Sequence, residues 1–116
     1  MPSIRDSRSV AAATTVSNIL AGSKFEFMPQ AAAIMVYAVQ DLATGGPVIM
    51  DVTFGNVVEG DALVVPSYTV GLGPDTQNHL IASGVAAPGD RLQISLQNTH
   101  ATNAAPVRTL VVIRPI

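Results

Sequence analysis

Turn-forming residues punctuate this chain from end to end, and that punctuation limits what it can become. Short apolar or alternating runs are separated by Gly, Pro, Asn and Asp clusters roughly every 8 to 14 residues. No long amphipathic helix fits between them. The spans Lys24–Met28, Ala31–Asp41, Pro47–Asn56, Ala62–Leu72 and His79–Ala87 read as strands, followed by two more in the closing segment Gly89–Ile116. Turns are expected at Ala43–Gly46, Glu59–Asp61, Gly73–Asn78 and Pro88–Asp90. Val48, Met50, Val52 and Phe54 alternate with less apolar neighbours, which predicts one face of a strand turned to a core. Seven or eight strands at this spacing predict an all-β fold, an antiparallel β-sandwich. No fixed-period repeat and no linker divides the chain.

Residues 1–17 are rich in Ser, Ala and Thr and show no steady period. They read as an extended arm, with residues 18–116 as the sandwich domain. A short helix over Val10–Leu20 is the alternative, against which the β-branched Thr14, Thr15 and Val16 weigh. The arm is expected to serve assembly more than folding, because its composition buries too little to order itself. It offers no continuous apolar core of a signal peptide, so export by that route is not expected.

Charge is scarce. Asp, Glu, Lys and Arg make up 12% of the 116 residues, against about 25% in an average soluble domain. Apolar residues reach 48%, yet the longest apolar stretches, Ala31–Val39 and Leu110–Ile113, fall far short of the roughly 18–20 residues of a membrane span. A monomer with so few charges would present an unusually uncharged surface. The composition therefore predicts that part of the surface meets other subunits. Residues 1–24 carry Arg5, Arg8 and Lys24 against Asp6, a balance of +2; residues 25–116 carry three arginines against seven acids, a balance of −4. An acidic body argues against nucleic-acid binding, except through the arm.

A search for chemistry returns little. There is no cysteine, so neither a disulfide nor a thiolate metal site can form. His79 lies near Asp75 and Asn78, without the spacing of a calcium loop. His79 and His100 are read as surface residues whose replacement by Ala would change stability by no more than about 0.5 kcal/mol. Ala82-Ser83-Gly84 lacks the first glycine of a nucleophile elbow. Glu26 and Glu59 are the only glutamates, and Gly71–Pro74 is not a phosphate loop. The five aromatics, Phe25, Phe27, Tyr37, Phe54 and Tyr68, with no tryptophan, make a thin supply for stacking sugars. We expect no catalytic residue, no cofactor and no metal ligand. A ligand- or carbohydrate-binding sandwich is the alternative to a self-assembling protein.

The Ser/Ala/Thr arm at 1–17, the stretch LAGSKFEFMPQAAAIMVYAV, the strand VAAPGDRLQISLQNT and the closing RTLVVIRPI give the chain its texture. Over residues 18–116 it resembles small virion structural proteins of viruses and bacteriophages: coat, cement or decoration proteins built on β-sandwich or jelly-roll domains. That resemblance implies a non-enzymatic homo-oligomer, or a protein bound to other capsid subunits, in a virion assembled in the host cytoplasm.

RTLVVIRPI poses the sharpest question. Alternation places Leu110 and Val112 on one face and Val111 and Ile113 on the other. One sandwich core can cover only one set. The cover of the second is a neighbouring subunit, a packed arm of the same chain, or solvent. Leu110, Val111, Val112 and Ile113 together are the candidate subunit interface, with the outward set left open.

Overall fold

The alternating runs become strands in the computed structural model, which describes residues 3–22, 26–40, 48–66, 74, 79–99 and 104–115. In chain order these are β1 (Ser3–Val10), β2 (Thr15–Val16), β3 (Ala32–Gln40), β4 (Val48–Phe54), β5 (Val57–Val64), β6 (Leu80–Ala86), β7 (Leu92–Asn98) and β8 (Ala105–Pro115). They form two antiparallel sheets, β1-β8-β3-β6 and β2-β7-β4-β5. No helix occurs among the described residues. The pairing follows a rule: β1 with β8, β2 with β7, β3 with β6, β4 with β5. One long antiparallel ribbon has been rolled up, and the roll adds the pairs β3–β8 and β4–β7. This is the winding of an eight-stranded jelly roll.

The period of two decides the core. Val48, Met50, Val52 and Phe54 of β4 are buried as the alternation predicts, facing Ile34, Val36, Val111 and Ile113 of the other sheet, with Leu92, Ile94 and Leu96 of β7 beside them. Each such side chain contributes about 1.5–3 kcal/mol of burial. Two turns are set by glycine. At Pro88-Gly89 the Asp90 N–H donates to the Ala87 carbonyl at 3.1 Å and Gly89 has φ 86°, the type II pattern with Pro first and Gly second. Between β4 and β5 the loop is Gly55-Asn56, with φ 62° at Gly55. A positive φ in the first position alone is the II′ pattern that suits the twist of a hairpin.

The N-terminal segment differs from the sequence reading. It is extended, but it is not a free arm. Ser3–Val10 pairs residue for residue with β8, from Ser3↔Val112 to Val10↔Ala105. Val10 is buried and Ile4 packs on the core. The chain then crosses to the second sheet through a corner at Ala11–Thr14, where Ala13 takes φ 51°. Asn98, itself fully buried, ties that corner down: its Nδ2 donates to the Val10 carbonyl at 3.1 Å and its N–H to the Thr14 carbonyl at 3.0 Å. A boundary at 17/18 therefore separates nothing structural, and the helix alternative over Val10–Leu20 does not form.

β2 has only two residues, yet the edge of β7 is covered along its length by a broken strand. Thr15 and Val16 pair with Gln97 and Leu96. Next, Ile19 N–H donates to the Ile94 carbonyl at 2.9 Å. Asn18, buried, accepts from the N–H groups of Ile94 and Leu20 at 3.2 and 3.0 Å and donates to the Leu92 carbonyl at 3.3 Å. Glu26–Met28 completes the run: Leu92 N–H donates to the Glu26 carbonyl at 2.7 Å and Phe27 bridges Arg91. Of the expected strand Lys24–Met28 only this single bridge is present; Lys24 and Phe25 lie outside the described residues. The Asn18→Ala variant strands two buried N–H groups, of Ile94 and Leu20, and the buried Leu92 C=O. It is expected to lose about 3 kcal/mol, read as a lower denaturation midpoint at unchanged slope.

Two further differences concern turns. Glu59–Asp61 does not reverse the chain; it lies inside β5 as a pair of bulges. Asp61 and Ala62 together oppose Asp51, and Glu59 is an extra residue between Gly60 and Val58. Gly60 sits where an added methyl group would strike the end of the Leu63 side chain, at the point where the strand bends. The Ala43–Gly46 turn and most of the Gly73–Asn78 loop lie outside the described residues.

Among the described residues one buried side-chain polar atom is unsatisfied: the Thr109 hydroxyl has no hydrogen-bond partner there. Thr109→Val keeps the volume and removes the orphan group, and is expected to raise stability by about 1 kcal/mol, measured by the same denaturation.

Candidate assembly surfaces

The closing strand shows which of its faces is dry by construction. Val111 and Ile113 point between the sheets with Ala105, Val107 and Thr109, and all are buried. They are not available to a neighbour, so only Leu110 and Val112 of the four candidate residues face outward. The rows across the first sheet explain how each is covered. One row runs Arg5–Leu110–Tyr37–Leu80, the next Ser3–Val112–Met35–Ser83. Long side chains flank Leu110, which is buried at 6% exposure. Serines end the row of Val112, which stays half-buried. β1 pairs with the edge of β8 and covers neither face, so the packed-arm explanation does not hold for the described arm residues.

The outer face of the first sheet is basic as well as apolar. Arg5, Arg108 and Arg114 all lie on the outward side of β1 and β8. A cavity of about 250 Å³ opens beside them, lined by Arg5, Asp6, Ser7, Pro74, Arg108 and Thr109. The Asp6 carboxylate is already engaged: Arg8 Nε and Nη2 donate to its two oxygens at 2.7 and 2.8 Å. That hydrogen-bonded carboxylate, with its charge, holds the Arg8 guanidinium above its ordinary pKa despite partial burial.

The outer face of the second sheet is mostly polar along β7 and β4. Gln93, Ser95 and Gln97 of β7 lie beside Thr53, Asp51 and Ile49 of β4. Asp51 accepts from the Ala62 N–H at 2.7 Å and from the Ser95 hydroxyl at 3.3 Å, which pins the β5 bulge.

Apolar exposure concentrates at one edge of the sandwich. β5 and β6 are the end strands of their sheets, one above the other. They carry Val57, Val58, Val64, Leu80 and Val85, each between 49% and 62% exposed. Val58 and Val64 lie on the outer side of the second sheet, opposite Thr53 and Ile49, and Leu80 and Val85 on the outer side of the first, opposite Tyr37 and Ala33. Among the described residues Phe27 is the one large exposed hydrophobic elsewhere. The two edge strands touch through a close approach: the Glu59 side chain lies against Gly84, where an added methyl group would come within 2.5 Å of Glu59 Cδ. The opposite edge, Ser3, Arg5, Ser7 and Ser9 of β1, is polar.

The residues considered for chemistry do not converge. Glu26 is far from Glu59 in its contacts: it accepts from the Gly22 N–H at 3.0 Å and from Arg91 Nε at 2.8 Å, and these, the first foremost, hold its carboxyl below the usual range. Arg91 also sits 6.0 Å from the Phe27 ring centroid, so the exposed ring is capped by a cation on one side. His79 is buried rather than a surface residue, with its carbonyl accepting from the Ala38 N–H at 3.2 Å; the connection leaves β5 past Pro66, beside Gln40, and returns there. His100, Asp75 and Asn78 lie outside the described residues. The β5–β6 edge was not legible as a site, because its apolar residues fall in short runs like those of any strand and only the topology makes both strands edges.

Compared with known protein families, curated proteins and solved structures, the chain matches none.

Proposed function

We propose that this protein is a non-enzymatic structural subunit that self-assembles, as a capsid or capsid-decoration component of a virion. The jelly-roll winding supports this by analogy, since capsid domains share it; lectin domains share it too, so the winding does not choose. The observation that carries the reading is the apolar β5–β6 edge on a chain with 12% charged residues. Exposed apolar side chains on both edge strands of a molecule so poor in charge favour a protein contact. A sugar-binding sandwich would present stacking rings, and among the described residues Phe27 is the sole exposed aromatic, with Arg91 beside it.

Light scattering coupled to size exclusion at micromolar concentration tests the reading. A mass several times the 12.0 kDa of one chain, persistent on dilution, is expected. A sharp monomer across that range would remove self-assembly.

A further inference from the structure

The molecule carries opposite charges at opposite corners. On β5 and β6 the charged residues are Glu59 and Asp61, with no basic residue. On β1 and β8 they are Arg5, Arg8, Arg108 and Arg114 against Asp6 alone. Because Arg8 occupies the Asp6 carboxylate, Arg5 stands at the cavity with no ion-pair partner among the described residues. β1 and β5 are end strands of different sheets at opposite edges, so no single chain can bring them together.

Shape follows charge. In β5, Asp61 and Ala62 oppose the single residue Asp51, so the strand buckles outward there. Ala62 takes φ 53°, a left-handed conformation that alanine seldom adopts, and its N–H is fixed by Asp51 at 2.7 Å. Asp61 and Ala62 are exposed, between the exposed Val58 and Val64. The result is an exposed bulge held by Asp51, with a carboxylate on it and an exposed valine on either side along the strand. The cavity, lined also by Arg108, offers the Arg5 guanidinium and the Ser7 hydroxyl, donors suited to a carboxylate.

We infer that the Asp61–Ala62 bulge of one copy docks in the Arg5–Ser7–Arg108 cavity of a second copy. This rests on the self-assembly reading and gives it a geometry. The two surfaces differ, so the contact is head-to-tail and each copy offers one of each, which closes into a ring or continues as an array. A two-fold pairing of two β5–β6 edges would set Glu59 and Asp61 against their own kind, which an interface disfavours.

The experiment is a charge-swap cycle on the full chain: Arg5→Glu, Asp61→Lys and the double variant, each first shown by circular dichroism to fold as wild type, then titrated by light scattering. Each single reversal is expected to raise the concentration of half-assembly by about tenfold or more, and the double variant, with the pair inverted, to recover most of the loss. Assembly that ignores both reversals would overturn this contact and leave self-assembly standing. Asp61→Lys strengthening assembly while Arg5→Glu leaves it unchanged would also overturn it and point to paired β5–β6 edges, whose like charges the reversal relieves. A monomeric wild type would remove the contact together with the reading beneath it.

Discussion

A chain lacking residues 1–17 is expected not to fold. The truncation deletes all of β1 and β2 and with them the eight paired positions along β8. It also removes the buried Val10 and the half-buried Ile4 and Val16 from the core, and leaves Asn98 buried without its Val10 and Thr14 partners. Val10 alone accounts for about 1.5 kcal/mol of burial, and each orphaned polar group for about 1–3 kcal/mol more. The sum is on the order of 5 kcal/mol or greater, comparable with the whole stability of a small domain. At about 4–8 °C per kcal/mol for a domain near this size, the melting temperature should fall by tens of degrees, if a cooperative transition survives. Circular dichroism melts of the two chains make the comparison. Equal melting temperatures would mean that β1 contributes nothing to folding, the behaviour of a loose arm.

The second large effect separates two adjacent valines. Val111→Asp places a carboxylate between the sheets, where Val111 is 1% exposed in the apolar core cluster. An unpaired buried charge costs several kcal/mol, so this variant is expected to be unfolded or molten. Val112→Asp, one residue later, points outward between Ser3 and Met35. Solvent reaches it, and the domain is expected to fold with a loss of about 1 kcal/mol or less. Proteolysis and near-ultraviolet dichroism distinguish the two. Should both variants unfold equally, the outer face of β8 would be as closed as the inner one.

Much of the fold was legible because alternation is a local signal. Val48, Met50, Val52 and Phe54 announce their own burial, and Pro88-Gly89 announces its own turn. The direction of the closing strand was not legible: four consecutive apolar residues satisfy either parity, and the choice is made by β3 and β1 in the sheet. β1 was misread for a related reason. An edge strand has one hydrogen-bonding side unpaired and one face in solvent, so SIRDSRSV carries Ser, Arg and Asp at most positions. Only Ile4 and Val10 betray the core side, and Asp6 and Arg8 hide between them by neutralising each other. The β5 bulge was mistaken for a turn because Gly60 and Asp61 are turn residues; that Gly55-Asn56 reverses the chain instead is fixed by the register. The proposed docking cavity depends on Arg5 and Ser7 of β1 and Arg108 of β8, which stand at opposite ends of the sequence, carry no shared pattern and meet only through the strand pairing.

The ribbon that pairs first strand with last also sets a timetable. Ser3 meets Val112, so β1 has no partner until nearly the whole chain exists. At about 5–20 residues per second of synthesis, it waits some 5–20 s after it is made, as an unpaired strand beside a growing apolar chain. A sequence of Val and Ile at that position would be free to pair with other nascent copies. The serines and the Arg–Asp–Arg pattern of β1 keep the waiting strand in water, and the same residues that disguise it as an arm protect the fold until its last strand arrives.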